Sequence, residues 1–428
     1  MDTGTVRIYA SADSPRLEYI AGFILGDILG LNWEVTTDKR KLRKHPVLNY
    51  SEENISGSFR IIPHPLLFEK GVRNHEIIVS TWKNLPVFFQ SGGESDFPFD
   101  LFAASFFLVT RYEEYLEYGP DEHGRYPSSA SVSYRNGFLT KPVIDLWVNE
   151  FARAFIRKIR DITFKRSDYS SLLTIDTDEP YAHDESLFRS LIRGVSHRHA
   201  SGQVETDPYD VFDYLVESIK KNRCEARFFL PVGDRSKYDR NPSWKNSRYR
   251  ELMKRLSADF ITGIHPSYFS FSNNSLMEQE AVRYREITGR EAACNRFHYL
   301  RLKMPFSYRE LCRSGVKEDF SMGYPDEPGF RAGTARPFYF YDLLTDEKTS
   351  LMIYPFQVMD ETLFGKKNLN PEDAMNLLSG MISEVKKTGG VFISIWHNTM
   401  LLDDAACRNH RKVFEFMLIA QANDNISQ

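Results

Sequence analysis

From residue 172 onward the chain repeats one pattern, a short apolar run followed by a stretch with apolar residues at helical spacing. The runs are Leu172–Ile175, Ala226–Leu230, Phe260–Ile264, Ala292–Cys294, Leu351–Pro355 and Val391–Trp396. The helical stretches lie near 208–221, 247–257, 276–287, 305–314, 371–387 and 404–421. In the first of these, Pro208 follows Asp207, and Phe212, Leu215, Val216 and Ile219 recur with a helical period. Strand–helix alternation sustained in this way predicts an α/β fold built on a parallel sheet, closed as a barrel. In such folds functional side chains gather at the C-terminal ends of the strands.

Residues 1–165 have a different texture. Arg7–Ala12 has the length of a short strand, and Ser14–Leu29 has helical spacing with Pro15 suited to the first helical position. Gly57–Ile62 and Glu76–Ser80 alternate as strands do, and Phe97–Tyr118 reads as one long helix. A loop containing Gly and Pro follows at Gly119–Pro127, and Trp147–Asp161 is amphipathic. The basic, polar segment Lys165–Ser171 reads as a linker. The pattern therefore predicts a smaller mixed α/β domain over residues 1–165 and a (β/α) barrel over residues 166–428.

Composition narrows the classes. A chain of 428 residues, 42% of them apolar and rich in Phe and Tyr, can bury large cores. A formal net charge of −3 gives neither a nucleic-acid footprint nor a polybasic membrane anchor. The apolar stretch Phe97–Thr110 is too short to span a bilayer and contains Asp100. The opening MDTGTVRIYASADS lacks the basic-then-apolar order of a secretory signal. Cys224, Cys294, Cys312 and Cys407 are scattered, with neither zinc-site spacing nor a dense disulfide framework. The expected setting is cytoplasmic, and nothing fixes an oligomeric state.

The chemistry concentrates where the runs end. TIDTDEP at 174–180 sets Asp176 and Asp178 two apart behind a strand, so both carboxylates can project into one site. Such a pair can divide labour, one group holding a metal while the other takes a proton from its water. His265 closes ITGIH, His298 follows Ala292–Cys294 within RFHYLR, and His397 closes VFISIWH. Imidazole and carboxylate ligands suit zinc and other first-row divalent ions, and histidine is the usual proton donor near neutrality. In PGFRAGTARPFYFYDL at 328–343, Arg331 and Arg336 offer guanidinium forks, and the aromatics Phe338–Tyr341 can stack on sugars or fill a core. Arg331 is the functional candidate of that stretch, and at least half of the aromatics are expected in the core.

Taken together, these residues resemble the polysaccharide deacetylases of the NodB-homology type, carbohydrate esterase family 4. The resemblance covers roughly residues 170–425, and it implies a distorted (β/α) barrel of about seven strands. TIDTDEP resembles the family's first motif, which implies Asp176 as catalytic base and Asp178 as metal ligand. His265 matches the first histidine of the H-x-x-x-H motif, but Phe269 stands where the second is expected. His298 is the expected substitute ligand, Tyr268 a substrate-binding residue, and His183 is read as a loop histidine. SIWH resembles the last motif, which implies His397 as the acid that protonates the leaving group. The arginine that pairs with the base corresponds to Arg296 or Arg331. The implied reaction is zinc-dependent removal of acetyl groups from an N- or O-acetylated carbohydrate. The alternatives are a catalytically inactive scaffold that binds a glycan, motivated by Phe269, and hydrolysis of another C–N bond. The whole chain resembles a group of bacterial deacetylase-like proteins with an uncharacterised N-terminal domain.

Overall fold

The computed structural model of the chain describes residues 4–159, 162–165, 168–182 and 207–422. In the N-terminal part, β1 (Val6–Ala10), β2 (Trp33–Thr36), β3 (Val47–Tyr50) and β4 (Phe59–Arg60) form a parallel sheet in the order β2-β1-β3-β4. The expected helix after β1 starts at Pro15, where the Ser14 side chain accepts from the Leu17 amide, and it continues to Ile28 with wider turns from Gly22. The strand expected at 76–80 lies further on, as β5 (Ser80–Trp82) paired with β6 (Leu85–Val87). Lys83 and Asn84 both take positive φ there, as a tight two-residue hairpin turn requires. The long helix expected over Phe97–Tyr118 is cut short. Asp100 caps a fully buried helix over Leu101–Val109, and Arg111 then turns left-handed at φ 55°. Its guanidinium is drawn to Glu113, Glu114 and the Tyr324 hydroxyl, which holds the break.

In the second part, every expected strand is present and three more appear. β7 (Tyr169–Asp176), β8 (Ala226–Leu230), β9 (Ile261–Ile264), β10 (Cys294–Asn295), β11 (Glu318–Asp319), β12 (Phe338–Asp342), β13 (Glu347–Ile353), β14 (Val358–Met359) and β15 (Gly390–His397) make one sheet. Its order is β12-β13-β11-β10-β9-β8-β7-β15-β14, and every neighbour pair is parallel except β12–β13. The ladder is thus mixed, with ends at β12 and β14. The link between β13 and β14 bonds to both flanks, Tyr354 N to Asp319 O on one side and Gln357 N to Ile393 O on the other. Helices at 212–221, 247–259, 274–288, 371–388 and 408–420 follow the expected stretches and bury their apolar stripes on the sheet.

Register brings the strand ends level. His397 lies opposite Asp176, Phe229 opposite Asp176, and Ile264 opposite both Leu230 and Asn295. The residues that follow β9 and β10 therefore emerge beside the end of β7. The N-terminal part shares one continuous core with the flank of the large sheet, through Tyr308, Leu311, Phe338, Phe340 and Tyr341 among others. Of the aromatic run, Phe338, Phe340 and Tyr341 are buried in β12, and Tyr341 packs against Tyr19 and Phe106. Among the described residues no helix is long and apolar enough to cross a membrane.

Candidate functional site

The strand ends enclose a cavity of about 300 Å³ whose walls include Asp176, Asp178, His265, His298 and His397. Asp176 is the last residue of β7 and points the same way as Thr174, two positions earlier. Arg296, fully buried just past β10, spans the two. Its Nη1 donates to Asp176 Oδ1 at 3.0 Å, Nη2 to Thr174 Oγ1 at 2.8 Å and Nε to Phe320 O at 3.1 Å. Arg296 therefore holds the carboxylate from beneath and does not line the cavity as a substrate-binding residue. Asp176 Oδ2 is left facing the site, 3.9 Å from His397 Nε2 and 4.0 Å from His265 Nε2.

Asp178, His265 and His298 bring three ligand-capable atoms within 4.8 Å of one another. The hydrogen-bond partners set the chemistry of those atoms. His265 Nδ1 lies 2.6 Å from the Arg296 carbonyl, which can only accept, so the proton of a neutral ring sits on Nδ1. His265 Nε2 is then a lone-pair donor facing Asp178 Oδ1 at 3.0 Å, and neither buried atom has a hydrogen-bond partner among the described residues. With the ring neutral, two facing acceptors at that distance repel unless a metal ion or a proton lies between them. His298 is arranged alike: Nδ1 is 2.9 Å from Asp239 Oδ1, and Nε2 is 3.2 Å from Asp178 Oδ2. Burial presses the His298 imidazole downward, but Asp178 and Asp239 carry it up to about 10. Burial presses Asp178 upward, yet His298 and His265 hold it well below the usual carboxylate range. One carboxylate and two imidazoles fit zinc or another first-row divalent ion and leave a coordination position open.

Two further acids support the histidines. Asp239, in the loop after β8, takes the Tyr268 amide on Oδ1 at 2.8 Å and the Ser236 hydroxyl on Oδ2 at 2.6 Å, so its carboxylate is fixed against His298. Asp360 follows β14, with Oδ1 2.7 Å from His397 Nδ1 and Oδ2 accepting the His397 amide at 2.6 Å. An outer carboxylate of this kind fixes the tautomer and orientation of an imidazole. Asp239→Asn is expected to weaken zinc binding by about 10–100-fold without removing a ligand, read by chelator competition at constant pH.

The other candidates lie elsewhere. Arg331 is a correction: it is buried and bidentate to Glu114, Nε–Oε1 at 2.9 Å and Nη2–Oε2 at 2.7 Å, with Nη1 on Gly323 O. It joins the two halves of the chain and does not line the cavity; breaking such a buried pair costs about 3–5 kcal/mol. Arg336 likewise pairs with buried Asp145. Tyr268 is buried behind the wall, stacked on Tyr238 at 3.7 Å between ring centroids, and Tyr238 takes the cavity face. Phe269 is 50% exposed, with its ring against Tyr238 and Tyr268, so that position supplies nothing to the ligand cluster. His183 lies outside the described residues. Asp239 and Asp360 were missed. Asp360 does follow a short stretch, Phe356–Met359, that Gln357 interrupts and that directly adjoins Leu351–Pro355; Asp239 sits in a polar loop with no such signal.

Residues 6–160 match a family described as a family of unknown function, DUF7033. No curated protein matches the chain. Among solved structures, a candidate polysaccharide deacetylase from Mycobacterium smegmatis aligns at 12% identity and a TM-score of 0.40, over 60% of this chain and 86% of that one. A family 4 carbohydrate esterase from Streptomyces lividans in complex with acetate aligns at 11% identity and 0.29, over 59% and 86%. A CE4 family pseudoenzyme from Bacillus anthracis aligns at 10% identity and 0.29, over 60% and 62%. At these identities and scores none of them assigns an activity to this chain.

Proposed function

We propose that the chain is a metal-dependent hydrolase that removes acetyl groups from an N- or O-acetylated carbohydrate. The observation that carries this is the unshared acceptor pair, His265 Nε2 against Asp178 Oδ1 at 3.0 Å, set beside an Asp176–His397 pair at 3.9 Å. Asp178, His265 and His298 would hold the ion, and the donor set favours zinc. When bound, it supplies Lewis acidity and a water of lowered pKa. Asp176 would take the attacking water's proton at Oδ2, because Oδ1 is occupied by Arg296. His397 donates a proton from Nε2 to the departing nitrogen or oxygen, since its Nδ1 is bound to Asp360.

Acetate release from an acetylated oligosaccharide tests the assignment. Asp176→Asn is expected to keep its metal and lose about 10²–10⁴-fold in kcat with little change in KM; turnover equal to wild type overturns the role. The exposed Phe269 favours the other reading, a glycan-binding scaffold without turnover. A chain that purifies without metal and binds the oligosaccharide without releasing acetate would support that reading.

A further inference from the structure

The cavity wall is not built by the second half of the chain alone. Its rim includes His123 and Arg125, from the part of the chain that matches a family of unknown function. Asp121–Arg125 is a rigid turn. Asp121 Oδ1 accepts the His123 and Arg125 amides at 2.9 and 2.8 Å, Asp121 O accepts the Gly124 amide at 2.9 Å, and Gly124 takes φ 76°. Arg125 Nε donates to Asp121 Oδ2 at 2.7 Å.

The turn is also bolted to the metal-site side. Arg125 Nη1 donates to the Tyr299 carbonyl at 2.8 Å, and Arg301 Nε donates to the His123 carbonyl at 2.9 Å. Tyr299 directly follows His298, and both Tyr299 and Leu300 hold left-handed φ, 58° and 53°. A bulky residue in that region is held there by its surroundings, and such residues concentrate at ligand sites. The result is that the Tyr299 ring lines the cavity 4.8 Å from the His123 ring, with Tyr238 beyond it. His123 Nδ1 is 3.1 Å from the Tyr268 hydroxyl. When that hydroxyl donates, Nε2 keeps the proton of the neutral ring and can donate. Among the described residues Arg125 Nη2 has no acceptor, although the other two guanidinium nitrogens do.

We propose that Asp121–Arg125 is a substrate-recognition element. In it, His123 and Arg125 donate hydrogen bonds to a sugar ring packed on Tyr299 and Tyr238, next to the residue that carries the scissile acetyl group. The N-terminal part is then one wall of the carbohydrate site, and it sets which oligosaccharides enter. This rests on the cavity being a carbohydrate site, and a binding measurement separates it from the hydrolase assignment.

The probe is penta-N-acetylchitopentaose, titrated calorimetrically against the full chain loaded with zinc, with acetate release followed in parallel. Wild type is expected to bind the pentamer, and His123→Ala and Arg125→Ala to weaken binding about tenfold each. His123→Gln, which keeps a donor near the Nε2 position, is expected to restore most of the affinity. Zinc content should stay at the wild-type value in all three, and the melting midpoint in the two His123 variants, whereas Arg125→Ala also loses the bonds to Asp121 and the Tyr299 carbonyl. Failure of the wild type to bind the pentamer, equal binding by wild type and both alanine variants, or weakened binding accompanied by lost zinc or, in the His123 variants, by a lowered melting midpoint would each overturn the proposal. Binding that depends on His123 and Arg125 without any acetate release would uphold the recognition element while removing the hydrolase reading.

Discussion

Asp178→Ala is expected to abolish zinc retention and take acetate release to background. Among the described residues, Asp178 is the carboxylate that faces both imidazoles, Oδ1 toward His265 at 3.0 Å and Oδ2 toward His298 at 3.2 Å. Removing it leaves two neutral nitrogen ligands where catalytic zinc sites usually have three protein ligands. Outer partners of zinc ligands are worth about 10–100-fold in affinity, so loss of a charged ligand should exceed that range. Asp178→Asn sharpens the test, because it preserves volume and one oxygen while removing the charge. Both variants should fold, since Asp178 lies at a cavity wall and holds no backbone element. Metal analysis after dialysis reads the outcome directly. One zinc per chain retained by Asp178→Ala would sink the proposed cluster, and with it the place of His298 as the ligand that compensates for Phe269.

The sequence exposes the part of this site that lies on strands. Asp176, His265 and His397 close apolar runs, and parallel register then brings their positions level, with His397 opposite Asp176. His298 was accessible for the same reason, since it follows the run Ala292–Cys294, whose last residue opens β10. The supporting acids were less accessible because their work is done across distance in the chain. Asp239 meets His298 over 59 residues from a loop, and Asp360 meets His397 over 37 residues from a two-residue strand too short to stand out. Arg331 failed as a candidate for a related reason. A buried arginine and a substrate-binding arginine look alike in sequence, and its partner Glu114 is 217 residues away, inside what reads as a continuous helix. That helix was itself misjudged at Arg111, where tertiary charge pairing overrides local periodicity. His123 was passed over as part of a polar loop, because nothing local shows that a second half of the chain will close around it.

Asp360→Asn is expected to move the alkaline limb of the kcat/KM–pH profile to lower pH by about 1–3 units. Burial alone would drive the His397 imidazole downward, but the Asp360 carboxylate, with Asp178 and Glu361 behind it, raises it well above the ordinary histidine value. An acid catalyst must be protonated to act, so its contribution is present below its pKa and is lost as pH rises through it. Removing the Asp360 charge lowers that pKa, and the loss therefore begins at lower pH. The acidic limb reports groups that must be deprotonated, and it should stay in place. The asparagine oxygen can still accept from Nδ1, but its NH2 replaces the oxygen that accepts the His397 amide, so unchanged zinc content and melting midpoint must accompany the shift for it to report the charge. His397→Ala removes donor and charge together and is expected to cost about 10²–10⁴-fold in kcat on an acetamide, with no alkaline limb of this origin. The loss should be much smaller on 4-nitrophenyl acetate, whose leaving group departs without a proton. An alkaline limb at the same pH in wild type and Asp360→Asn, or equal losses for His397→Ala on amide and aryl ester, would show that His397 is not the proton donor.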